Sequence, residues 1–349
     1  MEFGMFHEFR CAPGSAHADV FRSAFAEIDA AERMGLDVIW LGELHMDPAR
    51  SVLSSPLTVA SAIAARTRRI RIGTAVQVLP LAHPVRIAEE AATVDQISQG
   101  RLIFGVGRSG LPRGYDAYGV SYAESQERFA EALALIKRAW TETGFSYEGR
   151  FFSCKNVSLS PAPYQRPHPP IRVAASSPDT FPAVGTLGDT VMAAARAGAL
   201  NELIPNVLAY RAAWREAGHP GQGGVYLRIP VYVAETEARA REEPQASIMN
   251  LYRVLGARIE ASAEQAGARG IERRAERGRK LQTLTYEQAL RDRLVVGTPG
   301  RVVERLHQIN EELGCDGILA ELNCGGGIPA ARVANSLRMF CEQVLPRFR

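Results

Sequence analysis

Paired cysteines are missing from this sequence. The 349 residues hold five cysteines, at positions 11, 154, 315, 324 and 341, and none stands in C-x-x-C spacing. An odd number without paired spacing argues against a disulfide framework or a thiolate metal site, and reduced thiols are expected. An excess of one charge is missing too. The 41 basic and 38 acidic residues leave a formal net charge of +3. With the basic residues spread rather than striped, that balance gives no nucleic-acid partner. The densest basic stretch, IERRAERGRK at 271–280, lies in polar, Gly-bearing sequence and reads as a solvated face. No apolar run approaches the roughly eighteen residues of a membrane span. The opening MEFGMFHEFR lacks the basic start and long apolar core of a secretory signal. The expectation is a soluble, cytoplasmic protein with no membrane partner.

What the sequence does have is alternation. With 46% hydrophobic residues, strand-like and helix-like segments follow one another along the whole chain. Strands are expected at MEFGMFHE (1–8), 37–43, RIRIGTAVQVL (69–79), RLIFGVG (101–107), 171–176, 189–194, 225–234 and 316–323. Helical periodicity falls at 18–34, 56–66, 84–98, 121–143 and 199–217, with a terminal helix over 329–345. Eight buried-type strands alternating with helices argue for a (β/α)8 TIM barrel, with a doubly wound parallel sheet as the competitor. No repeat, linker or composition shift divides the chain, so residues 1–349 read as one domain. Two excursions interrupt the pattern. Residues 145–170, rich in proline and aromatics, read as a hairpin insertion after strand four. Residues 258–292, long and charged, read as a mobile lid before strand eight.

Gly105, Gly107 and Gly110 spell G-x-G-x-x-G after a strand. A dinucleotide fingerprint needs a helix directly after the third glycine to take the pyrophosphate. Here Pro112, Gly114 and Gly119 predict a loop, with helical pattern resuming only near Ser121. Barrel enzymes carry their chemistry at the C-terminal ends of the strands. Those ends hold His7 and Glu8, Glu43 to His45, Ala75 to Val78, Gly107 and Arg108, Ser176 and Ser177, and Asn323.

The run GTAVQVLPLAHPVRIAEEAATVDQISQGRLIFGVGRSG (73–110) resembles the bacterial luciferase-like flavin monooxygenases, particularly the luciferase (alkanal monooxygenase) α subunit. GLDVIWLGELH (35–45), VAASSPDT (173–180), VGTPGRVVERL (296–306) and SLRMFCEQVLPRF (336–348) fit the same family in order. The resemblance implies a barrel that binds reduced FMN supplied by a separate flavin reductase. The flavin reacts with O2 through a C4a-peroxide to oxidise a small-molecule substrate, and the family pattern is a homodimer. Two alternatives stay open: an F420-dependent hydride-transfer oxidoreductase on the same barrel, and a flavin-binding relative without catalysis.

The resemblance also implies roles for residues. Arg108 matches the arginine on the FMN phosphate, a fit for a guanidinium fork; a loop carboxylate is its other possible partner. Ala174, Ala175, Ser176, Ser177 and Thr180 surround the same phosphate, although Ser177 or Asp179 could simply cap the helix that follows. Ala75 and Val76 match a pair joined by a non-proline cis peptide beneath the flavin ring. Gly107 stands where luciferase has a reactive cysteine, and Leu44 where it has a catalytic histidine. That leaves Glu43 and His45 as the candidate catalytic pair. His83, before a proline at a helix start, reads as structural.

Overall fold

The computed structural model describes all residues except 13, 49, 111, 196–197 and 264–270. The first six strands are β1 (Glu2–His7), β2 (Val38–Leu41), β3 (Arg71–Thr74), β4 (Gln77–Val78), β5 (Leu102–Gly107) and β6 (Phe145–Glu148). The rest are β7 (Ser153–Val157), β8 (Ile171–Ala175), β9 (Thr190–Ala194), β10 (Val225–Val233), β11 (Val295–Gly297) and β12 (Gly317–Glu321). The first six helices are α1 (His17–Arg33), α2 (Pro56–Arg66), α3 (Pro84–Ser98), α4 (Pro112–Ala117), α5 (Ser125–Thr141) and α6 (Thr180–Thr186). They are followed by α7 (Ile204–Glu216), α8 (Glu237–Ala263), α9 (Ile271–Gln282), α10 (Tyr286–Asp292), α11 (Pro299–Leu313) and α12 (Ala330–Met339).

Eight strands close into a parallel barrel in the order β12-β1-β2-β3-β5-β8-β9-β10, with β10 pairing back to β12. The fold is a (β/α)8 TIM barrel. Every residue of β2, β5 and β12 is buried, as expected for parallel strands covered on both faces. The short β4 and β11 attach to β5 and β10 outside the barrel ring.

The residues group into two compact units. One comprises Met1–Phe6, Ala30–Val38 and Val173–Arg349, the other His7–Asp29 and Ile39–Arg172. In the first unit β1 pairs with β12, Glu2 opposite Gly317 and Met5 opposite Ala320. There β10 lies between β9 and β12, and β11 adds to it from Val231 onward. In the second unit β3 and β4 both pair with β5, and β6 with β7 forms the expected antiparallel hairpin.

Four local expectations are corrected. The segment after Gly110 is not loop up to Ser121: α4 begins at Pro112, a residue suited to a first helical turn because its missing N–H has no helical partner there. What sets the glycine motif apart from a dinucleotide loop is therefore the closed barrel around β5, not a displaced helix. The strand expected over 69–79 is interrupted after Thr74, and the chain turns through 3-10 residues Leu79–Leu81. The terminal helix ends at Met339 and continues as a π turn and a 3-10 turn.

The fourth correction concerns 258–292. The described part is helix, comprising the end of α8, then α9 and α10; residues 264–270, with Gly267 and Gly270, lie outside the described residues. Ile248, Leu251, Tyr252, Leu281, Tyr286, Ala289 and Leu294 form one buried cluster that holds these helices. A thin apolar stripe under so many arginines and glutamates hides the helical period.

Candidate active site

Beyond Leu41 the chain leaves the barrel with Gly42 N–H on His7 O (3.3 Å) and Leu44 N–H on Leu53 O (3.0 Å). This anchoring sets Glu43 and His45 on one side and buries Leu44. Glu43 Oε1 lies 2.6 Å from His45 Nε2, and Glu43 Oε2 accepts from Val78 N–H at 2.8 Å. The pair is nearly sealed, its side chains 4% and 11% exposed. Burial pushes the Glu43 carboxyl above its ordinary range, opposed by the hydrogen bonds from His45 and Val78.

On the other side of the imidazole, Tyr118 Oη is 3.3 Å from His45 Nδ1, with the two rings edge to face at 5.2 Å. With Nε2 protonated toward the carboxylate, Nδ1 accepts from the phenol. Tyr118 is about half exposed. The three groups thus make a hydrogen-bonded chain from solvent to a buried carboxyl, an arrangement suited to moving a proton.

Arg108 follows β5 directly. Its Nη1 donates to Ser125 Oγ at 3.4 Å, and its carbonyl accepts from Tyr115 Oη. Among the described residues no carboxylate lies within ion-pair distance of this guanidinium, so its charge remains available. Ser125 is buried at the start of α5. The Ala75–Val76 peptide is cis. Ala75 N–H is held by Leu41 O (2.7 Å) and Thr74 Oγ1 donates to Gly105 O (2.6 Å). A Cβ on Gly107 would stand 2.7 Å from Val76 Cγ2. A cysteine at 107 therefore has no room unless Val76 moves. Gln77 is buried, and its Oε1 has no hydrogen-bond partner among the described residues.

In the first unit, Ala174 and Ser176 are exposed at the end of β8 while Ala175 is buried. Ser177 Oγ lies 2.8 Å from Thr180 Oγ1. Asp179 occupies the cap position of α6 without a side-chain cap bond, so simple capping does not use its carboxylate.

Other strand-end residues are structural. Glu8 is clasped by Arg10 (2.6 Å) and Arg50 (2.5 Å), His7 pairs with Glu27 (3.1 Å), and Asn323 caps Ile328 N–H (3.2 Å). The His83 ring packs on Phe152 at 5.9 Å. Sequence reasoning missed Tyr118 and Ser125, and named Gln77 only within the strand-end run Ala75 to Val78. It also missed a buried pair in the first unit, Arg228 with Glu321 (2.5 Å), whose guanidinium sits 3.3 Å over the Phe6 ring. An arginine inside VYLRIPVYV, read as an apolar strand, gives no signal of an inward partner.

A closed parallel barrel with its polar side chains at the strand ends is the architecture of a barrel enzyme. Residues 1–317 match the model of the luciferase-like monooxygenases, and the chain belongs to that family. Limonene 1,2-monooxygenase of Rhodococcus erythropolis is 26% identical over 327 residues, 92% of this chain and 80% of that protein. The oxygenase component of flavin-dependent trigonelline monooxygenase from Acinetobacter baylyi is 30% identical over 183 residues, 52% of this chain and 50% of that one. An F420-dependent glucose-6-phosphate dehydrogenase of Kineococcus radiotolerans is 36% identical over 168 residues, 46% and 48% of the two chains. For these last two, the match spans about half the relative's length. The oxygenating constituent of 3,6-diketocamphane monooxygenase from Pseudomonas putida, solved with FMN, superposes with a TM-score of 0.82 at 21% identity over 99% of this chain and 98% of that one. Among the described residues no helix is long and apolar enough to cross a membrane.

Proposed function

We propose that the chain is the oxygenase of a flavin-dependent monooxygenase pair, taking reduced FMN from a separate reductase and using O2 to oxidise a small organic substrate. The observation that carries this reading is Arg108, a guanidinium at the end of a barrel strand whose one hydrogen-bonded side-chain partner among the described residues is a neutral serine. It suits a phosphate oxygen pair. The unpartnered Gln77 Oε1 fits a planar polar ring lying close to this backbone. Ala174, Ala175, Ser176, Ser177 and Thr180 are proposed as the remaining phosphate contacts.

Reduced flavin supplies the two electrons with which O2 is split, one oxygen going to substrate and the other to water. This chain's part is to hold the ring, exclude water and manage protons. His45, oriented by Glu43, gives or takes the proton at Nδ1, and Tyr118 connects that atom with solvent. An F420-dependent hydride transfer is the second reading, favoured by the F420-dependent relative.

Anaerobic fluorescence titration decides between them. Reduced FMN is expected to bind, and Arg108→Ala to weaken it by about 1.5–3 kcal/mol, the worth of a charged hydrogen bond. Riboflavin, without the phosphate, is expected to bind both proteins alike. Binding of reduced F420 alone replaces the first reading by the second; equal loss of FMN and riboflavin makes Arg108 structural.

A further inference from the structure

Helix α4 is short and thinly anchored, with Arg113, Asp116 and Ala117 exposed and Pro112, Gly114 and Tyr115 buried. Such a segment opens easily unless something ties it down. Here two phenols on one turn of the chain do so. Tyr115, completely buried, donates from Oη to the carbonyl of Arg108. Tyr118, just past the helix, keeps its N–H on Gly114 O (3.2 Å) and brings its hydroxyl within 3.3 Å of His45 Nδ1. Between the two phenols the helix lies against the histidine: a Cβ built on Gly114 would stand 3.7 Å from His45 Cβ.

The carbonyl that Tyr115 holds belongs to the residue before a bend. Ser109 has φ 59°, a left-handed conformation that a residue other than glycine keeps only where its surroundings enforce it. The Tyr115 hydroxyl fixes the peptide that enters this bend. At the other end of Arg108, Nη1 donates to Ser125 Oγ at 3.4 Å. Tyr115 thus fixes where Arg108 leaves the strand, and Ser125 fixes where its charge points. Tyr122 packs on Tyr115 edge to face at 5.1 Å. Burial pushes the Tyr115 phenol well above the ordinary tyrosine range, so its hydroxyl stays a donor throughout physiological pH.

We propose that Tyr115 and Ser125 are positioning residues that preset Arg108 for a phosphate, and that α4 carries the same constraint to His45 through Tyr118. The proposal rests on the oxygenase reading, in which Arg108 takes the FMN phosphate. Fixing a side chain before its ligand arrives removes an ordering cost from binding. The coupling runs both ways. A phosphate held at Arg108 steadies the turn that seats Tyr118 on the imidazole, so the proton chain from solvent to Glu43 is held more firmly once the phosphate is in place.

Anaerobic fluorescence titration and amide hydrogen exchange of the full chain test it without turnover. Tyr115→Phe keeps the ring and loses the hydroxyl. It is expected to weaken reduced FMN about three- to tenfold, the worth of one neutral hydrogen bond. Reduced riboflavin is expected to bind as in wild type, and in an Arg108→Ala background the same change is expected to add nothing. In wild type, reduced FMN is expected to slow exchange at residues 43–46 more than reduced riboflavin does; in Tyr115→Phe the two are expected to act alike. Should Tyr115→Phe fail to fold, Ser125→Ala is expected to show the same selective loss of FMN. Equal loss of FMN and riboflavin, or an undiminished effect in the Arg108→Ala background, makes Tyr115 a packing residue and overturns the proposal. Exchange at 43–46 that does not distinguish the two flavins in wild type overturns the link to His45. A selective loss of FMN with Arg108→Ala but none with either positioning variant overturns the proposal and leaves the oxygenase reading standing. No loss with Arg108→Ala removes Arg108 from the cofactor and takes the proposal with it.

Discussion

His45 shares its ring between a buried carboxylate and an exposed phenol, and that division makes its role testable. His45→Ala removes the link between Glu43 and Tyr118 but no proposed contact to flavin. Turnover is expected to fall by about 10²–10⁴, the usual worth of a positioned acid–base group, with flavin affinity nearly unchanged. Stopped-flow measurement of single turnovers checks this. A variant that keeps the turnover of folded protein while melting lower would make His45 structural. The neighbouring Leu44 is buried and carries no transferable proton, so little or no light is expected with a long-chain aldehyde. Glu43 and His45 were legible because a strand end in a barrel is a place of known consequence. Tyr118 was not, because nothing in DAYGV announces that the short helix beginning at Pro112 brings its phenol over the imidazole.

Helices α8 and α9 meet backbone to backbone. A Cβ on Gly278 would stand 2.8 Å from Gly256 O and from Glu260 N, and one on Gly256 would stand 2.6 Å from Gly278 O. On a free helix surface Gly→Ala stabilises by about 1 kcal/mol. Here the added carbon meets backbone that cannot swing aside, and overpacking costs about 1–3 kcal/mol. Gly278→Ala is therefore expected to lower the urea midpoint. A raised midpoint would mean that the helices are free to separate. The barrel strands were legible as apolar runs, since a strand buried on both faces has no polar positions to break it. So were α2 and α3, each opened by a proline at its first position. The crossing of α8 and α9 was hidden because Gly278 lies in the charged stretch read as a lid, where it serves close packing.

Contacts at the scale of the chain join its ends. Phe3 packs edge to face on Phe340 and Phe348, at 5.7 and 5.1 Å, and His307 stacks on Phe348 at 4.5 Å. Arg349 reaches Gly35 O (2.6 Å) and Asp37 (2.9 Å), whose other oxygen accepts from Phe3 N–H (2.9 Å). Phe348→Ala is expected to cost about 1–2 kcal/mol, less than a fully buried ring because Phe348 is only half buried. Thermal melting measures it, and an unchanged midpoint would show that the terminal turn is ornamental to the barrel. The pairing of β1 with β12 sets a schedule as well. During synthesis the first strand emerges early and has no β12 beside it until residues 317–321 have left the ribosome. Its apolar Phe3, Met5 and Phe6 must wait for that partner while the residues between the two strands are made. Closing so long a loop is slow for topological reasons, so β1 completes its pairing late in folding.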